Sequence, residues 1–139
     1  MRKALYIAAV TVAVAPALLA GQSWRTVTMS HQIEDNSEIR VFVEYGAGHL
    51  KIGAADGGVL YRMNLRYDED IFEPVSDFSG DRLHLGVESI GRGFNIGRNK
   101  QSGELDLEFA RGIPMDMDLE FGAVRADIDF GGLALTDLD

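Results

Sequence analysis

Leu105–Phe130 reads LDLEFARGIPMDMDLEFGAVRADIDF, and its rhythm decides the fold. Leu105, Leu107 and Phe109 alternate with Asp106 and Glu108. The pattern resumes with Ile113, Met115, Met117, Leu119 and Phe121 against Asp116, Asp118 and Glu120. It continues with Val124, Ala126, Ile128 and Phe130 against Arg125, Asp127 and Asp129. Successive side chains leave a β-strand on opposite faces, so a period of two marks half-buried strands.

The same period appears upstream. Ile39, Val41, Val43 and Tyr45 share a face in a first strand opened by Ser37, and Leu50 and Ile52 begin a short return strand after Gly46-Ala47-Gly48. Asp56-Gly57-Gly58 is a hairpin signal, because its residues tolerate positive φ. Val59, Tyr61, Met63, Leu65 and Tyr67 then alternate with Arg62, Asn64 and Arg66. Asp68–Gly80 reads as an acidic link whose Phe72 and Phe78 fold back onto the core edge. Leu83, Leu85 and Val87 form another strand. Glu88–Gly103, rich in Gly, Asn and Arg, reads as the most mobile segment and the only locally basic one. After Gly131-Gly132, Leu133, Leu135 and Leu138 start a further rung. Outside the first residues no i, i+3, i+4, i+7 stripe occurs, so the expected fold class is all-β.

Short phrases repeat. Asp106-Leu107-Glu108-Phe109-Ala110, Asp118-Leu119-Glu120-Phe121-Gly122 and Asp127-Ile128-Asp129-Phe130-Gly131 each end on an aromatic and a small residue. Val43-Glu44-Tyr45-Gly46-Ala47 is an earlier cousin. Repeated strand units form either a stacked solenoid or an antiparallel meander, and the spacing alone fits both. The chain stops at Thr136-Asp137-Leu138-Asp139 in mid-rhythm, without a polar cap. An uncapped rung exposes a pairing edge. The expectation is a fold incomplete at its C-terminus, either truncated from a longer protein or covered there by another chain.

Composition narrows the function. Residues of hydrophobic type make up 46% of the chain, as in a globular domain. The net charge is −9, from 13 basic and 22 acidic residues; without Arg2 and Lys3, 11 against 22 leave −11. Nucleic acid needs a basic footprint and is excluded as a partner, as is docking on anionic lipid. There is no cysteine, which rules out disulfides, thiolate metal sites and thioether lipidation.

Residues 1–21 read as a signal peptide in helical form. Arg2 and Lys3 precede the apolar run Ala4–Ala20, with small residues at Ala20 and Gly21 for cleavage after either one. The run is 17 residues, at the short limit for a bilayer span, so a membrane link exists only through an uncleaved leader. Residues 22–36 read as an exposed polar lead-in and 37–139 as the β domain. The expected location is exported, either periplasmic or at the cell surface.

Val43-Glu44-Tyr45-Gly46-Ala47-Gly48-His49-Leu50, Ala54–Tyr61 (AADGGVLY), Leu65-Arg66-Tyr67-Asp68 and Leu119-Glu120-Phe121-Gly122-Ala123 together resemble the bacterial toast-rack domains. These are adhesin-like, extracytoplasmic β-repeat proteins related to cell-wall-antibiotic response proteins. The resemblance covers roughly Ser37–Asp139. It implies a stacked β-sheet or right-handed β-solenoid, an envelope location, no enzyme activity and no catalytic residues to carry over; no cofactor is expected. Members of that family run on through more strands than are present here.

The candidate interaction face consists of Asp106, Glu108, Asp116, Asp118, Glu120, Asp127 and Asp129, expected in rows on one exposed sheet face. Like charges opposite one another cost about 0.2–1 kcal/mol per pair. A solvated, solubilising face, a divalent cation with six to eight oxygen ligands, and a basic partner are the three readings weighed. There is no EF-hand loop or calcium repeat. Uniform carboxylate rows lack the cleft and unlike environments of glycoside hydrolysis. His31, His49 and His84 are scattered without zinc-binding spacing and read as surface or core-edge residues. The glycines at 91, 93 and 97 miss the nucleotide-binding spacing. Tyr45, Tyr61 and Tyr67 read as core, not as a sugar platform. The expected function is a non-enzymatic, adhesin-like or scaffold module whose partner is an envelope protein or glycan. A carbohydrate- or cell-wall-binding module and an envelope-stress regulator acting by protein contacts are the alternatives.

Overall fold

A computed structural model describes residues 23–90 and 103–139. The leader and the basic part of Glu88–Gly103 lie outside the described residues, as does the expected signal helix.

Among the described residues the chain forms eight strands and no helix: β1 (Trp24–Gln32), β2 (Ile39–Ala55), β3 (Val59–Asp68), β4 (Phe72–Ser79), β5 (Arg82–Ser89), β6 (Gly103–Ala110), β7 (Pro114–Ile128) and β8 (Ala134–Leu138). They make one sheet in the order β1-β3-β6-β2-β5-β4, with β7 on the other edge of β2 and β8 beyond it. The pairing of β2 with β5, β6 and β7, and of β7 with β8, is parallel; β1–β3, β3–β6 and β4–β5 are antiparallel. Parallel ladders exclude the plain meander. The stack β5-β2-β7-β8 is out of chain order, so it is not a simple coil of successive rungs either.

The stacking expected from the repeats does occur between β2 and β7. Val43-Glu44-Tyr45 lies beside Leu119-Glu120-Phe121, and Ala47 beside Ala123. Both strands turn a corner at this level. In β2 the inward residues are Ile39, Val41, Val43 and Tyr45, then Gly48, Leu50 and Ile52, with Gly46 and Ala47 both outside. The inward side passes from odd to even numbers across the corner. In β7 Gly122 and Ala123 make the same change of phase. Asp106-Leu107 and Asp127-Ile128 flank Lys51-Ile52 from its two sides.

Inward side chains converge on one core. Val43, Leu50, Met63, Leu65, Leu85, Leu107, Phe109, Met115 and Met117 are fully enclosed, and Tyr45, Tyr61 and Tyr67 are buried as the alternation requires. Burial of such side chains contributes about 1.5–3 kcal/mol each. The sheet curls until its ends nearly meet, giving a barrel-like shape. Tyr61 of β3 and Ser76 of β4 share a hydrogen bond of 2.7 Å, and the His31 ring of β1 meets the Phe78 ring of β4 edge-on at 4.8 Å.

Four expectations change. Gly46-Ala47-Gly48 does not return the chain: β2 runs through it as one strand from Ile39 to Ala55, so Leu50 and Ile52 belong to no separate return strand. Part of the segment read as a polar lead-in is β1, paired with β3 from Trp24↔Asp68 to Gln32↔Val59. The acidic link contains β4, whose Pro74 is tolerated because β4 ends the sheet. Its Phe72 and Phe78 do pack on the core. Asp56-Gly57-Gly58 reverses the chain, with φ of 83° and 75° at its glycines, but β2 and β3 are not paired; β6 lies between them. A local turn signal cannot reveal a strand inserted from as far downstream as Gly103–Ala110.

Candidate functional site

Cross-strand register decides which outward side chains meet. Around the first half of β2 two charged rows run across the sheet. The first is Arg82, Arg40, Asp116 and Asp137, on β5, β2, β7 and β8. The second begins with Asp77, His84, Phe42 and Asp118, on β4, β5, β2 and β7. Asp139 closes this row. Its amide donates to the Met117 carbonyl and its carbonyl accepts from the Leu119 amide, both at 3.0 Å, which places it beside Asp118. These residues line a shallow depression of about 650 Å³ on the outer face.

The rows are not uniformly acidic. Asp116 faces Arg40 on one side and Asp137 on the other. Arg40 reaches away to Asp81, with Nη2 at 2.6 Å and Nε at 3.1 Å from one carboxylate oxygen. That bond holds the Asp81 carboxyl below its ordinary range and raises the Arg40 guanidinium. The Phe42 and His84 rings are tilted against each other at 5.0 Å, half exposed at the middle of the depression. Glu120 stands directly beside Glu44, a like-charge contact.

The remaining candidates lie beyond the corner. Asp106 sits between Asn64 and Lys51. Glu108 accepts from Arg62 at 2.8 Å. Asp127 lies beside Lys51 and bonds to Nε2 of His49 at 2.7 Å, which pulls its carboxyl pKa down. Asp129 accepts the Gly131 amide at 2.8 Å, bracing its own turn. The seven carboxylates thus divide between two parts of the outer face, and most stand next to a cation or a neutral group. Among the described residues no three carboxylates or histidines form a group able to hold a metal ion.

Sequence reasoning did not select Arg40, Phe42, Asp77, Arg82, His84, Asp137 or Asp139. Their meeting depends on parallel pairing between distant strands. The available signal was local: Phe42 interrupts the polar side of its strand.

A family model described as the N-terminal domain of toast_rack, DUF2154, matches residues 20–139. Among solved structures, a crystal structure of "a putative cell adhesion protein" from Clostridium sporogenes ATCC 15579 is similar in fold, with a TM-score of 0.62 at 17% identity. The similarity covers 83% of this chain and 56% of that one, so the chain spans little more than half of its length. No curated protein matches the chain.

Proposed function

Because this chain belongs to the family of toast-rack N-terminal domains, we propose that it is an exported, non-enzymatic module of the adhesin-like or scaffold kind. It presents the outer face of the β4-β5-β2-β7-β8 region to an envelope partner. The observation that carries this reading is the pair of charged rows across that face. They line an open, shallow depression in which Arg40, Arg82 and His84 on β2 and β5 lie between Asp77 on β4 and the acids of β7 and β8. Such a surface suits a broad protein contact with complementary charge more than an enclosed small substrate. The family and the leader of residues 1–21 support the envelope location.

The Phe42–His84 ring pair favours a second reading, a glycan-binding module, since aromatic faces beside carboxylates suit sugar rings. One experiment separates the two. The purified chain is screened on a glycan array and incubated with peptidoglycan, and envelope proteins are captured by cross-linking. An Asp116→Asn/Asp118→Asn/Asp137→Asn variant and a Phe42→Ala variant accompany it. Protein capture that the triple variant loses is the expected result. Glycan or peptidoglycan binding lost in Phe42→Ala would establish the second reading. Capture unchanged in both variants would overturn this face as the site.

A further inference from the structure

Asp56-Gly57-Gly58 reverses the chain between two strands that do not pair with each other. β2 and β3 are each laddered to β6 instead, so the turn carries no rung of the sheet. A covalent change within it leaves both ladders standing.

Asp56-Gly57 is the one Asp-Gly step in the sequence, and Asn-Gly does not occur. The Asp56 side chain is 94% exposed, with its carboxylate 3.6 Å from Nε of Arg111. Glycine has no Cβ to shield its amide or to restrict its φ. A methyl group on Gly57 or Gly58 would meet nothing within 4 Å, so the space around the turn is open. The Gly57 amide has no main-chain partner among the described residues. Three other aspartates beside turns are held differently. The carboxylates of Asp35, Asp68 and Asp129 accept the amides of Ser37, Asp70 and Gly131 at 2.8, 3.1 and 2.8 Å. A bond to the amide two places on fixes each of those side chains. Among the described residues no such bond joins Asp56 to Gly58.

We propose that Asp56 is a site of spontaneous isoaspartate formation in the folded protein, through attack on its carboxyl group by the Gly57 amide nitrogen. The proposal is independent of the outer-face reading. The nitrogen forms a bond to Cγ of Asp56. The hydroxyl of the carboxylic acid leaves and departs as water with the amide proton, which closes a succinimide ring. Water then adds to one of the two ring carbonyls. Breaking the bond from nitrogen to Cγ restores aspartate. Breaking the bond from nitrogen to the main-chain carbonyl carbon leaves the chain running through Cβ and Cγ, with a free α-carboxylate. Water lost in the first step is regained in the second, and no other reactant enters. The product lengthens the main chain by one carbon at the turn. Ile33, just beyond β1, donates its amide to the Gly58 carbonyl at 3.0 Å, and this tie is what the extra carbon displaces.

The full chain and an Asp56→Glu variant are incubated at neutral pH, both folded and in urea. Samples are treated with labelled S-adenosylmethionine and an isoaspartyl methyltransferase, which esterifies the α-carboxylate, and electron-transfer fragmentation locates the label. The label is expected at Asp56 and is lost in Asp56→Glu, because glutamate would have to close a larger ring. Folded and unfolded rates agree within about threefold, as for a loop that opens at almost no cost. In the aged protein the Ile33 amide exchanges faster with solvent, while the Leu107 amide in β6 is unchanged. No isoaspartate at Asp56, isoaspartate mainly at another aspartate, or the same signal in Asp56→Glu overturns the proposal. A folded rate further below the unfolded one overturns it as a reaction of the folded turn. An unchanged Ile33 amide overturns the displaced tie.

Discussion

Gly122 packs directly over Gly46: a methyl group on Gly122 would lie 2.1 Å from the Gly46 carbonyl oxygen, whereas one on Gly46 would meet nothing within 4 Å. The contact between the stacked corners is one-sided. Gly122→Ala is therefore expected to lose at least about 1–3 kcal/mol through overpacking against backbone that cannot yield. Gly46→Ala stays within about 0.5 kcal/mol, as an exposed substitution does. Urea unfolding of the two variants side by side measures the asymmetry, and equal losses would contradict this packing.

Tyr45 is buried, and its hydroxyl has no hydrogen-bond partner among the described residues. An unpartnered buried hydroxyl costs about 1–3 kcal/mol. Tyr45→Phe should therefore raise the unfolding free energy by about 1 kcal/mol, read by urea denaturation at pH 7.

Burial, with the nearby Glu104 charge, pushes the Tyr45 phenol up to about 12 from an ordinary 10.0. The folded state then holds the proton more tightly than the unfolded state. This contribution is complete below pH 10.0 and is lost as pH rises towards 12. Absorbance at 295 nm should show one phenol titrating last, with stability declining over the same window. Tyr45→Phe should remove that part of the decline.

Asp81 and Asp127 behave in the opposite sense. Arg40 and His49 hold their carboxyls below the ordinary value of 3.8. The stabilisation they give is present above that value and is lost as pH falls through the lowered one. Denaturation midpoints measured from pH 5 down to 2.5 should fall, and an Asp81→Asn/Asp127→Asn variant should fall less steeply.

Leu107 is fully enclosed between Ile52 of β2 and Met63 of β3. Leu107→Ala is expected to cost about 2–5 kcal/mol by opening a cavity at the strand that joins the two sides of the sheet. Thermal unfolding followed by circular dichroism checks it.

The alternation identified the buried face of β2, β3, β5 and β6 almost residue by residue, because each of those strands has a covered apolar side. It overreached in β7. Leu119 and Phe121 are only half buried, and Ala126 and Ile128 are exposed, although their spacing matches that of Met115 and Met117. Period reports which side chains share a face, not whether anything lies over that face. β1 was missed because only a weak row, Val27, Met29 and His31, is half buried; Thr26, Thr28 and Ser30 alternate with it, a subdued strand signal. Strand order and the charged rows were beyond reach, since nothing in Phe42 or Asp139 indicates that parallel strands bring them within one row.

The shared corner of β2 and β7 acts as a reading frame. Because the inward phase changes once in each strand, at the same level, a residue deleted at one corner would cancel that change in its own strand alone and set every residue beyond it one place out of register with its neighbour. Length variation tolerated by this architecture must then fall in its turns, such as Asp56–Gly58, and not in the two long strands. Any duplication that lengthened the stack would have to copy the corner with it.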